Sequence, residues 1–136
     1  MFNNINWLAV IACGFVNMLL GMAWYGAFAQ SWMDGNGLTM DSINATANPA
    51  LAYSVSFFSA FVSGYLISRI FNRMGVTTFQ DGLVSGAAIG LFALLGNIVM
   101  NLYAQRPLSL SLIDGGFAFL LYSLYGGLIG AWRKKA

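Results

Sequence analysis

The sequence contains no histidine and no glutamate, and Cys13 is its only cysteine. A disulfide within the chain is therefore impossible, and zinc or haem sites built from His and Cys side chains are not expected. The acidic residues are four widely spaced aspartates: Asp34, Asp41, Asp81 and Asp114. Pairs of carboxylates for acid–base chemistry are not expected from such spacing. We therefore predict no cofactor, no metal site and no enzymatic activity, and we expect Cys13 to pack as a small apolar residue.

Charge of either sign is also scarce. Charged residues make up 7% of the 136 residues, against about 25% in an ordinary soluble domain. With 59% hydrophobic residues, the chain has too few charged side chains to cover the surface of a water-soluble fold, so lipid is the expected solvent. The net charge of +2 is small and lies at predicted helix ends, which does not indicate nucleic-acid binding.

Four apolar runs are long enough to cross a bilayer as helices, for which about 20 residues suffice. We predict spans over residues 5–28, 50–71, 82–103 and 112–132. The first run is not expected to be a cleavable signal peptide, because it lacks a basic start and is too long. The predicted fold class is all-α, an integral membrane four-helix bundle forming one domain over residues 1–136.

The longest polar stretch lies between the first two spans, from Gln30 to Asn48. We predict a loop there, with a turn at Asp34–Gly37, because Asp, Asn and Gly favour turns. Thr39 and Ser42 are suited to cap a short helix lying at the membrane interface.

The basic residues predict the orientation, because Lys and Arg near span ends are retained in the cytoplasm. Arg106 stands alone on one side of the predicted topology. The other side holds Arg69, Arg73, Arg133, Lys134 and Lys135. Both termini are therefore expected in the cytoplasm of a bacterium, with the chain in its inner membrane. Tryptophans near span ends are typical of the aromatic belts at a membrane surface, and they are Trp7, Trp24, Trp32 and Trp132.

Each span carries small residues spaced four apart, which allow helices in lipid to approach closely. The glycines of these stripes that we expect in helix contacts are Gly64 on the second span, Gly86 and Gly90 on the third, and Gly126 and Gly130 on the fourth. Such stripes serve either packing within one chain or a homo-oligomeric interface.

No ionisable residue lies near the centre of any predicted span, which argues against a proton-coupled carrier. It also argues against the small multidrug exporters, which depend on a membrane-embedded glutamate. The polar groups at depth are Asn17, Asn97 and Asn101, and burial of an amide without partners is costly. They either tie helices together or line a polar cavity for a small ligand, with Tyr25 and Tyr122 as further lining residues. Other tyrosines that could add hydroxyls to that cavity are Tyr53, Tyr65 and Tyr125.

Arg106 and Asp114 lie near the predicted outer surface, separated by one tight turn that contains Pro107. We expect Asp114 in the first turn of the last span, with Arg106 folding back to pair with it. The alternative is that Arg106 binds an anion or a lipid headgroup.

Several short stretches resemble a known family. They are Asn6-Trp7-Leu8-Ala9-Val10, Gly21, Trp24-Tyr25, Trp32-Met33, Gly37-Leu38-Thr39, Gly82, Gly96-Asn97, Arg106-Pro107-Leu108, Asp114-Gly115-Gly116, Gly130 and Trp132. The order and spacing are similar to those of domain-of-unknown-function family 1761, a group of small bacterial membrane proteins with four predicted helices. The resemblance implies a four-span topology and no particular reaction. Members often have Asn where this chain has Asp114.

Three classes of function stay open at this point. The leading hypothesis is a non-enzymatic component of the lipid bilayer, forming a homo-oligomer or an accessory subunit of a larger membrane complex. The alternative is an oligomeric channel or facilitator for a small solute or ion, lined by the asparagines and tyrosines. A membrane enzyme acting on lipid or quinone has little support, because its chemistry would fall to Tyr, Arg or a lone Asp.

Overall fold

A computed structural model describes residues 5–132, and within that range it is all-helical. The helices are α1 (Trp7–Ala27), α2 (Ala29–Asn36), α3 (Met40–Thr46), α4 (Pro49–Met74), α5 (Phe79–Tyr103) and α6 (Leu108–Ala131). Four of them, α1, α4, α5 and α6, are long and apolar enough to cross a membrane. The chain is thus an all-α protein with the architecture of a multi-pass membrane protein.

Local sequence explains where the long helices begin and end. The side chains of Asn6, Asn48 and Thr78 accept hydrogen bonds from free backbone N–H groups at the starts of α1, α4 and α5. Pro49 is the first residue of α4, where its missing N–H costs nothing. Gly75 ends α4 with a φ of 73°, a left-handed conformation that favours glycine.

The polar stretch between α1 and α4 is more ordered than its composition predicts. It forms α2 and α3 instead of an open loop, and Gly37, with a φ of 66°, ends α2. The expected turn at Asp34–Gly37 is therefore the end of a helix. The expectation of a short helix capped by Thr39 and Ser42 is confirmed, since each side chain caps the other's backbone N–H.

Helices α5 and α6 form a close hairpin because glycines face each other across it. A Cβ atom on Gly82 or Gly86 would overlap the backbone of α6, and one on Gly126 or Gly130 would overlap the backbone at the start of α5. A Cβ atom on Gly90 would also overlap the backbone of α6, at 2.7 Å from the Cα and carbonyl oxygen of Phe119. This face of α5 holds its small residues, so α5 packs on α6 and leaves α4, its neighbour in sequence, almost untouched.

Helices α1 and α4 form the second pair, in which Gly64 lies against Cys13 of α1. Helix α6 is central, because it also contacts α1, α4 and α2. A buried apolar core joins α1, α4 and α6 in the half of the molecule that holds the chain ends. Its members are Ala9, Cys13, Ala60, Ile67, Phe71, Val76, Leu121, Tyr125 and Ile129.

The ends of the described chain lie side by side. The side-chain amide of Asn6 donates to the carbonyl oxygen of Trp132 at 2.6 Å. Arg69 and Arg73 lie in the last turns of α4 at this same end of the bundle. Three of the basic residues used for the orientation, Arg133 to Lys135, lie outside the described residues, and the cytoplasmic assignment stays a prediction.

Candidate functional site

A cavity of about 550 Å³ lies between α1, α4 and α6, and we call it the outer cavity. Its polar wall residues are Asn17, Tyr25, Tyr53 and Ser56. The remaining wall is Met18, Gly21, Met22, Gly26 and Phe117. Pockets for small molecules range from about 300 to 1,000 Å³, so this volume suits a ligand.

A second space of about 250 Å³, the inner cavity, adjoins the outer one at Asn17 and Ser56, which line both. Its other wall residues are Val55, Ser59, Ala60, Ser63, Leu121, Tyr122 and Tyr125. The Nδ2 atom of Asn17 donates to the backbone carbonyl of Ser56 at 3.3 Å, so this bond holds α1 to α4 at the boundary.

Glycines on α1 leave the outer cavity open. A Cβ atom on Gly21 would have one neighbour within 4 Å, the Phe117 ring at 3.8 Å, and one on Gly26 would have none. Larger residues at these two positions would place side chains into the space between α1, α4 and α6. Gly21 and Gly26 thus help to keep the cavity open, because neither adds a side chain to the part of α1 that lines it.

The serine hydroxyls of the cavities differ from those of Ser54 and Ser123 in their hydrogen bonding, and in the described part of the chain they share the lack of a partner with the buried Ser111 hydroxyl. Elsewhere Ser54 and Ser123 donate to the carbonyl four residues earlier, each at 2.7 Å, as serines in helices commonly do. Within residues 5–132, no partner is assigned to the hydroxyls of Ser56, Ser59 and Ser63. These three donors on one side of α4 are available to another molecule.

The side chain of Tyr125 borders the inner cavity, but its hydroxyl is itself buried and also lacks a partner among the described residues. Tyr125 is only 1% exposed, and its ring meets that of Tyr122 edge to face at 5.9 Å. A buried hydroxyl without a partner costs about 1–3 kcal/mol.

The two cavities reach only part of the way through the molecule. They follow α1 from residue 26 back to 17, and α4 from residue 53 to 63. Beyond them the apolar core fills the space between the same helices, with Cys13, Ile67 and Phe71 buried to 3% exposure or less. The cavity is therefore closed toward the chain ends.

Next to the outer cavity, Asp114 joins three helices. Its Oδ1 atom accepts hydrogen bonds from the Tyr25 hydroxyl at 2.8 Å and from the Trp32 indole N–H at 3.1 Å. The indole of Trp24 donates to the carbonyl of Ile113 at 2.9 Å. Helices α1 and α2 are thereby fixed to α6, and the ring of Tyr25 is held in the cavity wall.

The expected pairing of Arg106 with Asp114 is not formed. Arg106 donates instead to the side-chain oxygen of Asn36 at 3.3 Å. The reason is that α6 begins at Leu108, whereas the predicted span begins at residue 112. Asp114 therefore lies in the second turn of α6, about 9 Å along the helix axis from Leu108. The Oδ1 atom of Asp114 already accepts hydrogen bonds from Tyr25 and Trp32.

Only some of the residues predicted to line a polar cavity do so in the structure. It places Asn17, Tyr25 and Tyr122 on the cavity walls. Asn97 and Asn101 lie on α5, away from both cavities. The Asn97 amide makes one long bond, to the carbonyl of Ala93 at 3.5 Å, and the buried Asn101 amide nitrogen has no partner among the described residues.

Two sets of site residues were not recognised from the sequence. Ser56 belongs to the small residues spaced four apart on the second span, and nothing in the sequence distinguishes Ser59 and Ser63 from its other serines. Trp24 and Trp32 were interpreted as belt residues, whereas both donate to α6. Their presence in the stretches that resemble a family was the one signal of a more specific role.

Comparison with known proteins gives a family and nothing more specific. The family model described as "Protein of unknown function (DUF1761)" matches residues 8–130. No match was found among curated proteins or among solved structures.

Proposed function

Since the chain belongs to the DUF1761 family, whose description names no function, we propose from its own geometry that it is a non-enzymatic membrane component that binds a small molecule between α1, α4 and α6. The observation that carries the proposal is the space between these helices, whose walls carry the hydroxyls of Ser56, Ser59 and Ser63 without an assigned partner among the described residues.

The energetic argument is that lipid offers no hydrogen bonds. A polar group without a partner in the bilayer core costs several kcal/mol, so such groups occur where they face a partner, water or a ligand. Ser59 and Ser63 lie in the middle third of α4, where bulk water is distant. A ligand that supplies oxygens to these donors explains their position.

Binding without catalysis is supported by the residue types. The walls offer hydroxyls and one amide, and the whole sequence lacks His and Glu, the commonest acid–base residues besides Asp. Asp114 stands behind the wall and is already held by Tyr25 and Trp32.

Binding is also better supported than conduction. A channel needs a continuous polar path, and the path described above ends at the core around Cys13 and Phe71. A facilitator would have to open that core during each transport event.

The proposed location is the inner membrane of a bacterium, with the lipid bilayer as the direct partner and both termini in the cytoplasm. The distribution of Lys and Arg along the sequence supports this orientation. It would put the end of the outer cavity near Tyr25 and Tyr53 in the outer half of the membrane.

The test is native mass spectrometry of the protein extracted gently at its natural expression level. We expect a bound small molecule in the wild type and its loss in Gly21→Leu, whose side chain fills the outer cavity. The matched control is Gly96→Leu on α5, where an added Cβ meets nothing within 4 Å. An equal adduct in all three proteins, or the absence of any Gly21-sensitive adduct, retained from the cell or added, would contradict the proposal.

A second candidate role, assembly with itself or with a larger membrane complex, is favoured by Asn97. This half-buried amide lies on a helix that packs against α6 alone, and its one bond, at 3.5 Å, is long. A neighbouring chain could supply better partners. We expect the intact particle to exceed the mass of one chain, and Asn97→Leu to shift it toward the monomer; a wild-type monomer would refute this role.

A further inference from the structure

We infer that the ligand of the two cavities is an uncharged amphiphile, a lipid-like molecule with a hydroxyl- or carbonyl-bearing head, which enters sideways from the bilayer. The inference rests on the proposed function, because it names the chemical class that the same cavity binds. Four properties of the walls support it: the absence of charge, the number of free hydroxyls, the distribution of apolar side chains and the side on which the cavity opens.

The walls carry no charged residue among the side chains that line either cavity. A charged head placed there would lose its water without gaining an opposite charge, and that loss is far larger than the loss for a hydroxyl. The nearest carboxylate, that of Asp114, lies behind Tyr25 and accepts a hydrogen bond from the Tyr25 hydroxyl. An uncharged head is therefore favoured over an anion or a cation.

The inner cavity suits the head of such a molecule. At about 30 Å³ for each water, its 250 Å³ holds a group the size of roughly eight waters. The hydroxyl-bearing residues Ser59, Ser63 and Tyr122 line it, and their hydroxyls have no assigned partners within the described residues. Hydroxyls both donate and accept, so they match a head that carries hydroxyl or carbonyl oxygens.

The outer cavity suits the tail. It is the larger space, and Met18, Met22 and Phe117 supply much of its wall. Methionine side chains are flexible and adapt to chains of varied shape, which favours an alkyl or isoprenoid tail over a rigid polar solute.

The opening of the cavity faces the bilayer. Met22 of α1 is 63% exposed and Tyr53 of α4 is 62% exposed, and both line the outer cavity from lipid-facing positions of their helices. A molecule already dissolved in the membrane can thus enter between α1 and α4. A water-soluble solute would have to leave water for an apolar entrance.

The experiment compares three probes on the delipidated full chain, with bound mass measured by native mass spectrometry. The probes are dioleoylglycerol, dioleoylphosphatidylglycerol and glycerol. The first two share their tails and differ in charge, whereas glycerol carries the hydroxyls without a tail. We expect dioleoylglycerol to bind about tenfold more tightly than the other two.

Two variants distinguish cavity binding from lipid bound on the outer surface. Gly21→Leu should abolish the dioleoylglycerol adduct, whereas Gly96→Leu should leave it unchanged. Tyr122→Phe removes one hydroxyl with little change of shape and should weaken binding about fivefold, the effect of one hydrogen bond. Tyr122→Phe gives an answer even where Gly21→Leu does not fold.

The outcomes separate the ligand class from the proposed function. Preference for phosphatidylglycerol or glycerol, sensitive to Gly21→Leu, would overturn the uncharged amphiphile and leave cavity binding intact. If Gly21→Leu loses the molecule retained from the cell but changes the binding of none of the three probes, the uncharged amphiphile is likewise overturned and cavity binding stands. Dioleoylglycerol binding that neither Gly21→Leu nor Tyr122→Phe changes would overturn the inference. Absence of any Gly21-sensitive adduct, retained or added, would refute both.

Discussion

The Asn17 amide nitrogen donates to the backbone carbonyl of Ser56 at 3.3 Å, and these two residues are the ones that line both cavities. One polar contact therefore joins α1 to α4 at the boundary between the outer and the inner cavity. The Oδ1 atom of the same amide has no assigned partner among residues 5–132. Asn17 can thus hold the helices together and accept a hydrogen bond from a ligand.

Replacing Asn17 by leucine should remove ligand binding and cost little stability. A hydrogen bond between membrane helices contributes about 0.6 kcal/mol on average, so we expect the free energy of unfolding to fall by less than about 1 kcal/mol. The bound small molecule should be lost in native mass spectra. Gly96→Leu is the control, since an added Cβ there meets nothing within 4 Å; loss of ligand in both variants would contradict the assignment.

Removal of the hydroxyl should affect the free energy of unfolding differently at two tyrosines. The Tyr25 hydroxyl donates to the Asp114 carboxylate at 2.8 Å, a charge-assisted bond, so Tyr25→Phe should lower the free energy of unfolding by about 1.5–3 kcal/mol. The Tyr125 hydroxyl is buried without a partner among the described residues, so Tyr125→Phe should be neutral or stabilising in ligand-free protein. Denaturant titration in micelles measures both, and equal losses would refute this view of the cavity.

At Asp114 the acceptor atom should matter more than the charge. Asp114→Asn keeps an oxygen for Tyr25 and Trp32, so we expect a loss of about 1 kcal/mol in the free energy of unfolding. Asp114→Leu leaves both donors unpaired and should cost about 2–6 kcal/mol, from 1–3 kcal/mol for each. Thermal unfolding in detergent separates the two. If asparagine were as damaging as leucine, the negative charge itself would be essential.

The α5–α6 contact should tolerate no added atom. A Cβ on Gly86 would overlap the backbone of Tyr122, and backbone cannot move aside as a side chain can, so Gly86→Ala should lower the free energy of unfolding by about 1–3 kcal/mol or more. Gly96→Ala lies on the same helix in open space and should be stabilising by about 0.5–1 kcal/mol, because alanine favours helix. Denaturant titration should give opposite signs for the two changes.

Much of the fold follows from the sequence because lipid imposes a simple rule. A run of about 20 apolar residues without charge has no stable form in a bilayer other than a helix that satisfies its own backbone. The four long helices were predictable on that ground. Helix α2 was not, because the Asp34-Gly35-Asn36-Gly37 composition is typical of turns, and packing against α6 stabilises the helix there.

The candidate site was predictable in part, and the reason lies in how helices pair. Asn17 was identified as a polar residue at depth, and it lines both cavities. Asn97 looked equivalent, yet the glycine face of α5 turns toward α6 and leaves Asn97 away from the cavities. Arg106 was expected beside Asp114, and the earlier start of α6 moved that carboxylate out of its reach.

The sequence by itself determined that the chain is suited to lipid, how many long helices it forms and which residue types are available for chemistry. These properties depend on composition and on runs of neighbouring residues. The tertiary structure alone decided which polar groups meet. Small residues occur on every span and permit several pairings, and close backbone approach selects α5 with α6 and α1 with α4. That selection brings Ser59 and Ser63 of α4 and Tyr122 of α6 around one space, a relationship between distant parts of the chain that no local pattern records.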